Sequence, residues 1–71
     1  MMTLAKAKKL TVDAASKHGI NVTIIKAVWL SKDHVAAHID ILVGGKIMGV
    51  LVYLNTDNSI NVYFGVRDPN R

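Results

Sequence analysis

Residues 34–54 read HVAAHIDILVGGKIMGVLVYL, and whether they form a helix or two strands decides the fold. A helix over 34–43 has some support, since Asp33 can cap it and Val35, Ile39 and Leu42 keep helical spacing. The strand reading accounts for more. Val35, Ala37, Ile39 and Ile41 alternate with Ala36, His38 and Asp40. Gly44-Gly45 then offers the positive φ angles of a two-residue hairpin turn. That turn pairs Val43 with Lys46, Ile41 with Met48, Ile39 with Val50 and Ala37 with Val52.

The same choice settles the metal question raised by His34, His38 and Asp40. On a helix, histidines four apart share one face and can chelate one ion. On a strand they lie about 13 Å apart at ~3.3 Å per residue, too far for zinc–nitrogen bonds of about 2 Å. His38 and Asp40, about 6.6 Å apart along the strand, can share an ion only with a third ligand from elsewhere. The strand reading therefore predicts no metal site, and leaves these residues as polar groups on an outward strand face.

Working outward, Thr56-Asp57-Asn58 suits a three-residue loop with Asn58 left-handed. It pairs Leu54 with Ile60, Val52 with Val62 and Val50 with Phe64. Both registers then place Val35, Ala37, Ile39, Ile41, Met48, Val50, Val52, Leu54, Ile60, Val62, Phe64 and Val66 on one face. A face this apolar needs cover. Residues 4–18 supply it as an amphipathic helix with Leu4, Ala7, Leu10, Thr11, Ala14, Ala15 and His18 on one arc. Thr3 is its N-cap, and Gly19 its left-handed C-cap with Ile20 folded back.

Residues 22–30, rich in β-branched side chains, are the first strand. A two-residue turn near Ser31-Lys32-Asp33 would put Val28 and Leu30 in the core. A three-residue turn would put Ile25 and Trp29 there, and is preferred because it also takes Lys26 out. The predicted fold is α+β: one N-terminal amphipathic helix packed on a four-stranded antiparallel meander sheet. Residues 1–71 form a single domain with a frayed tail at 67–71.

On the second face of the sheet the rows read Ala36–Tyr53–Asn61, His38–Leu51–Tyr63, Asp40–Gly49–Gly65 and Leu42–Ile47–Arg67. Leu42, Ile47, Leu51, Tyr53 and Tyr63, with His38 among them, form a patch that no predicted element covers. Such patches mark interaction sites. Gly49 and Gly65 signal either close approach by another group or a bulge. The expectation is a non-enzymatic protein-interaction module that self-associates as a homodimer through this face. A different protein partner ranks next, then a small ligand.

With 71 residues, 51% of them apolar, the chain is unusually hydrophobic for its size, which an oligomer explains. The formal charge of +4 keeps a small basic nucleic-acid-binding protein as the alternative. Lys6, Lys9 and Lys17 would contact phosphate, and Tyr53 and Tyr63 would stack on bases. Asp13 interrupts the lysine row, and the helix has no arginine for base readout.

Cysteine and glutamate are absent from the chain. No glycine-rich phosphate loop opens a helix, so His38–Asp40 near Tyr63 is the one arrangement suited to acid–base work. No catalytic residue and no cofactor are assigned. Lysines at 6, 8 and 9 argue against a signal peptide. The apolar run at 41–54 is too short to span a bilayer and carries Lys46. These features point to a cytoplasmic protein with no membrane partner.

Overall fold

The computed structural model describes residues 2–67; all but Arg67 of the predicted frayed tail lies outside the described residues. Thr3, in extended conformation, starts helix α1 (Leu4–Lys17). Its Oγ1 accepts from the Lys6 N–H at 3.1 Å, satisfying one of the free donors of the first turn. His18 is the C-cap, followed by Gly19 at φ 72°. The Ile20 N–H donates to Ala15 O at 3.0 Å and the Gly19 N–H to Ser16 O at 2.9 Å. This is the double bond of a Schellman ending.

Four strands come after it: β1 (Thr23–Trp29), β2 (Ala36–Val43), β3 (Lys46–Leu54) and β4 (Ile60–Phe64). They form one antiparallel sheet in the order β1-β2-β3-β4. With α1 packed on it, the fold is the α+β meander that the alternation implies. Both Gly44 and Gly45 have positive φ, as does Asn58 at φ 69°. Ile39 faces Val50 and Val52 faces Val62, so the β2–β3 and β3–β4 registers match the sequence reading.

The core lies between helix and sheet. Ala7, Thr11 and Ala15 are the buried helix positions, and their small size lets the helix sit close to Ala37, Ile39, Ile41, Val50 and Val52. The Thr11 hydroxyl is satisfied by Ala7 O at 2.9 Å. Met2 is also buried against this cluster, ahead of the helix. His18, expected on the buried arc, is exposed, as are Met48 and Phe64 at the far end of the same sheet face. The helix covers only part of that face.

The first strand departs from the expected pairing. Trp29 faces Ala37 and packs against the core, as expected. Ile25 does not: it is exposed, and Ile24 takes its place opposite Ile41. The cause is a bulge between Ile24 and Lys26, which adds one residue and reverses the alternation on either side. Lys26, opposite Asp40, stays out of the core.

The connection to β2 is also longer than three residues. The Leu30 N–H donates to Ala36 O at 2.8 Å, enclosing residues 31–35. Ser31 organises this loop. Its Oγ accepts from the Val35 and Ala36 N–H groups at 3.2 and 3.3 Å, and its carbonyl accepts from the His34 N–H. His34 adopts φ 58° and stacks on Trp29, with ring centroids 4.3 Å apart and planes 5° from parallel.

Val66 does not continue the core face. Strand β4 ends at Phe64, and Gly65 turns the chain at φ 77°. The N–H groups of Gly65 and Val66 both donate to Gly49 O, at 2.8 and 3.0 Å. Two donors on one carbonyl, the first from a left-handed glycine, make a G1-type bulge. It bends the chain onto the second face of the sheet.

Candidate functional site

Away from the helix, β2, β3 and β4 present Leu42, Ile47, Leu51, Tyr53 and Tyr63 on one face, in the cross-strand pairs expected from the hairpin turns. Ile47 is 61% exposed and Tyr63 46%. Leu42 and Tyr53 are also exposed, and Leu51, between them, is half-buried. The register of β1 adds Val28 beside His38 and Thr23 beside Leu42. The preferred first turn, with Trp29 in the core, also leaves Val28 on this face, whereas Thr23 reaches it only through the bulge in β1, which does not show in the residue pattern.

The polar residues of this face behave differently. His38, expected on an exposed strand face, is 2% exposed, and Asp40 is 4% exposed. The segment after Gly65 covers the histidine. His38 Nε2 lies 2.8 Å from Val66 O. A carbonyl only accepts, so Nε2 carries the proton and donates. The other ring nitrogen, Nδ1, faces Asp40 Oδ1 at 3.6 Å. The bond to the Val66 carbonyl fixes the ring, with the Asp40 carboxylate beside its other nitrogen.

Gly49 makes this cover possible. A Cβ there would overlap the Val66 carbonyl and stand 2.7 Å from His38 Nε2. Of the two roles a strand glycine suggests, Gly49 serves close approach of another backbone, and Gly65 forms a bulge. The sequence marks both glycines. It does not identify Val66 as the group that approaches.

Beside this strap a cleft of about 410 Å³ runs between the strap and the β2–β3 hairpin. His38, Asp40 and Gly49 contribute to its lining, with Lys46 and Arg67 as its cationic side chains. A second, wholly apolar crevice of about 260 Å³ lies on the helix side, where Ile20 and Phe64 flank the end of α1.

Several groups with candidate chemistry in the sequence take separate partners or positions in the structure. His34 stacks on Trp29 while His38 bonds to Val66, so the two histidines have different partners. Among the described residues, no three His, Cys, Asp or Glu side chains gather as a metal site would require. The Tyr63 hydroxyl accepts from Asn61 Nδ2 at 2.8 Å. His38 can exchange its Nε2 proton with a substrate only if the Val66 strap moves away. Lys6, Lys9 and Lys17 are exposed on α1, whereas Tyr53 and Tyr63 lie on the sheet face opposite the helix.

No protein-family model, curated protein or solved structure matches this chain. Among the described residues, no helix is long and apolar enough to cross a membrane.

Proposed function

We propose that the protein is a non-enzymatic interaction module that self-associates through the outer face of its sheet. One observation carries this reading: Leu42, Ile47, Tyr53 and Tyr63 are all exposed on a single side of the sheet, away from the helix. Isolated exposed apolar residues are ordinary, but four on one face of adjoining strands, two on either side of the Val66 strap, are the pattern of a contact surface. Packing two such faces would join two thin helix-on-sheet layers around a second core. His38 supports this surface from beneath the strap and is not itself a contact.

The test is the solution mass by light scattering over a concentration series. The expected result is a dimer or higher mass that falls on dilution. Ile47→Asp and Tyr53→Ala should lower it, with unfolding in urea little changed, because both side chains are exposed in the single chain. A monomer mass at every concentration would overturn the reading.

The nucleic-acid alternative draws on the exposed Lys6, Lys9 and Lys17 of α1. Phosphate contact by the helix and base stacking by Tyr53 and Tyr63 fall on opposite sides of the molecule, so one strand cannot use both in a single groove. What remains is charge contact by the lysines, which is tolerant of sequence and weakens steeply with salt.

A further inference from the structure

Every open sheet has two edges, and the two edges of this sheet differ. On β1 the bulge between Ile24 and Lys26 breaks the regular spacing of main-chain groups, and Lys26 and the displaced Ile25 are exposed beside it. Bulges and lysines are the usual means by which an edge strand avoids pairing with another chain. Strand β4, INVYF, has neither a charge nor a proline nor a bulge between Ile60 and Phe64. Four of its five residues, all but Asn61, have high strand propensity.

The hydrogen-bonding directions of β4 are set by its ends. Asn55 N–H bonds Ser59 O, and Gly65 N–H bonds Gly49 O. Bonded pairs alternate along an antiparallel ladder, so Asn61 and Tyr63 spend their main-chain groups on β3. Those of Ile60, Val62 and Phe64 point out from the sheet. Among the described residues, no bond from a loop, cap or side chain reaches them.

We propose that this edge pairs antiparallel with the β4 edge of a second copy, about a twofold axis at Val62. That register sets Ile60 against Phe64 of the partner subunit, and Val62 against its own twin, on the helix side of the sheet. Asn61 then stands against Tyr63 of the partner subunit on the outer side. The outward groups of Ile60, Val62 and Phe64 meet in phase, giving about six main-chain bonds.

The fit is specific to a second copy in two respects. No like charges meet anywhere along it, and aromatic rings fall opposite β-branched or polar partners. Phe64, left exposed beyond the reach of the helix, gains cover from Ile60 of the partner subunit. This pairing uses main chain at an edge, whereas the outer-face association uses side chains on a face. Neither depends on the other.

The test is residue-resolved amide hydrogen exchange on the whole chain over a concentration series, read beside the solution mass. The expected result is protection of the Ile60, Val62 and Phe64 amides that rises at least tenfold with concentration. The Asn61 and Tyr63 amides should stay protected throughout. Val62→Pro removes one outward donor and no β3 bond, and should lower the mass while the remaining shifts stay dispersed. Ile47→Asp, on the outer face, should leave the edge protection in place.

Fast exchange at Ile60, Val62 and Phe64 under conditions where the mass shows association would overturn the edge pairing and leave the outer-face reading standing. Concentration-dependent protection along β1 instead would also overturn it. If Val62→Pro fails to fold, the wild-type exchange pattern alone decides.

Discussion

His38 and Asp40 stand on the same side of β2 as Leu42, yet the polar pair is buried while Leu42 and its cross-strand neighbour Ile47 are exposed. Two adjoining regions of one sheet face thus reverse the usual arrangement of polar and apolar groups. The difference lies in the segment after β4. Gly65 sends the main chain back over Gly49, and a main-chain strap can cover only residues whose polar atoms answer its own. His38 does so by donating to the Val66 carbonyl. Leu42 and Ile47, beyond the strap, have no such cover. Burial on this face is governed by the path of a short stretch of backbone and not by the hydropathy of the side chains.

The contrast can be broken at its covered side, its strap or its open side. The largest loss is expected on the helix side, where Ile39 is fully buried. Ile39→Ala should cost about 3 kcal/mol in urea unfolding, from lost transfer energy and the cavity left behind. Next comes Gly49→Ala, whose new methyl group would overlap the Val66 carbonyl. Main chain yields less readily than a flexible side chain, so a loss of about 2 kcal/mol is expected. In the same variant, nuclear magnetic resonance should show the His38 ring signals shifted as the strap lifts. An unshifted ring would mean that the strap does not depend on the glycine.

On the open side, Ile47→Ser should change monomer stability by less than about 0.5 kcal/mol. A much larger loss at low protein concentration would mean that Ile47 is already packed within one chain.

The smallest effect belongs to the β3–β4 turn, outside both regions. The Ser59 hydroxyl and N–H donate to Asp57 Oδ1 at 2.6 and 3.0 Å. The hydroxyl contributes most to holding the carboxyl below its ordinary value of 3.8. A carboxyl with a lowered pKa in the folded state adds stability above its unfolded value and loses it as pH falls through the folded one. Asp57→Ala should therefore lower Tm slightly near neutral pH. The gap from wild type should close in acid, below the ordinary aspartate range. A gap that persists there would assign the effect to the turn's backbone instead.

How much can be read in the sequence depends on how locally each feature is determined. Gly44-Gly45 and Asn58 fix two hairpin registers through neighbouring residues alone, and from those registers Leu42, Ile47, Leu51, Tyr53 and Tyr63 fall on one face. Thr3 and Gly19 mark the helix ends in the same local way. The β1 register is not legible, because a bulge at Ile25 leaves no mark in a run of β-branched residues. The loop at 31–35 depends on Ser31 bonding to N–H groups four and five residues away, which no turn-residue pattern announces. The burial of His38 is hidden for a further reason. Its covering group, the Val66 carbonyl, is 28 positions away and belongs to the main chain, so its identity as valine carries no signal.

The stack of His34 on Trp29 has a practical use. Trp29 is the one tryptophan of the chain, so intrinsic fluorescence comes from a single known place: the closed end of the β1–β2 hairpin, on the core side of the sheet. An imidazole lying flat on an indole alters its emission, and opening of the 31–35 loop should register as a change in brightness without any added label. Emission can thus track the first hairpin, while the His38 ring signals track the cover on the outer face. Used together, they would tell whether the two faces of this small sheet melt in one step or in sequence.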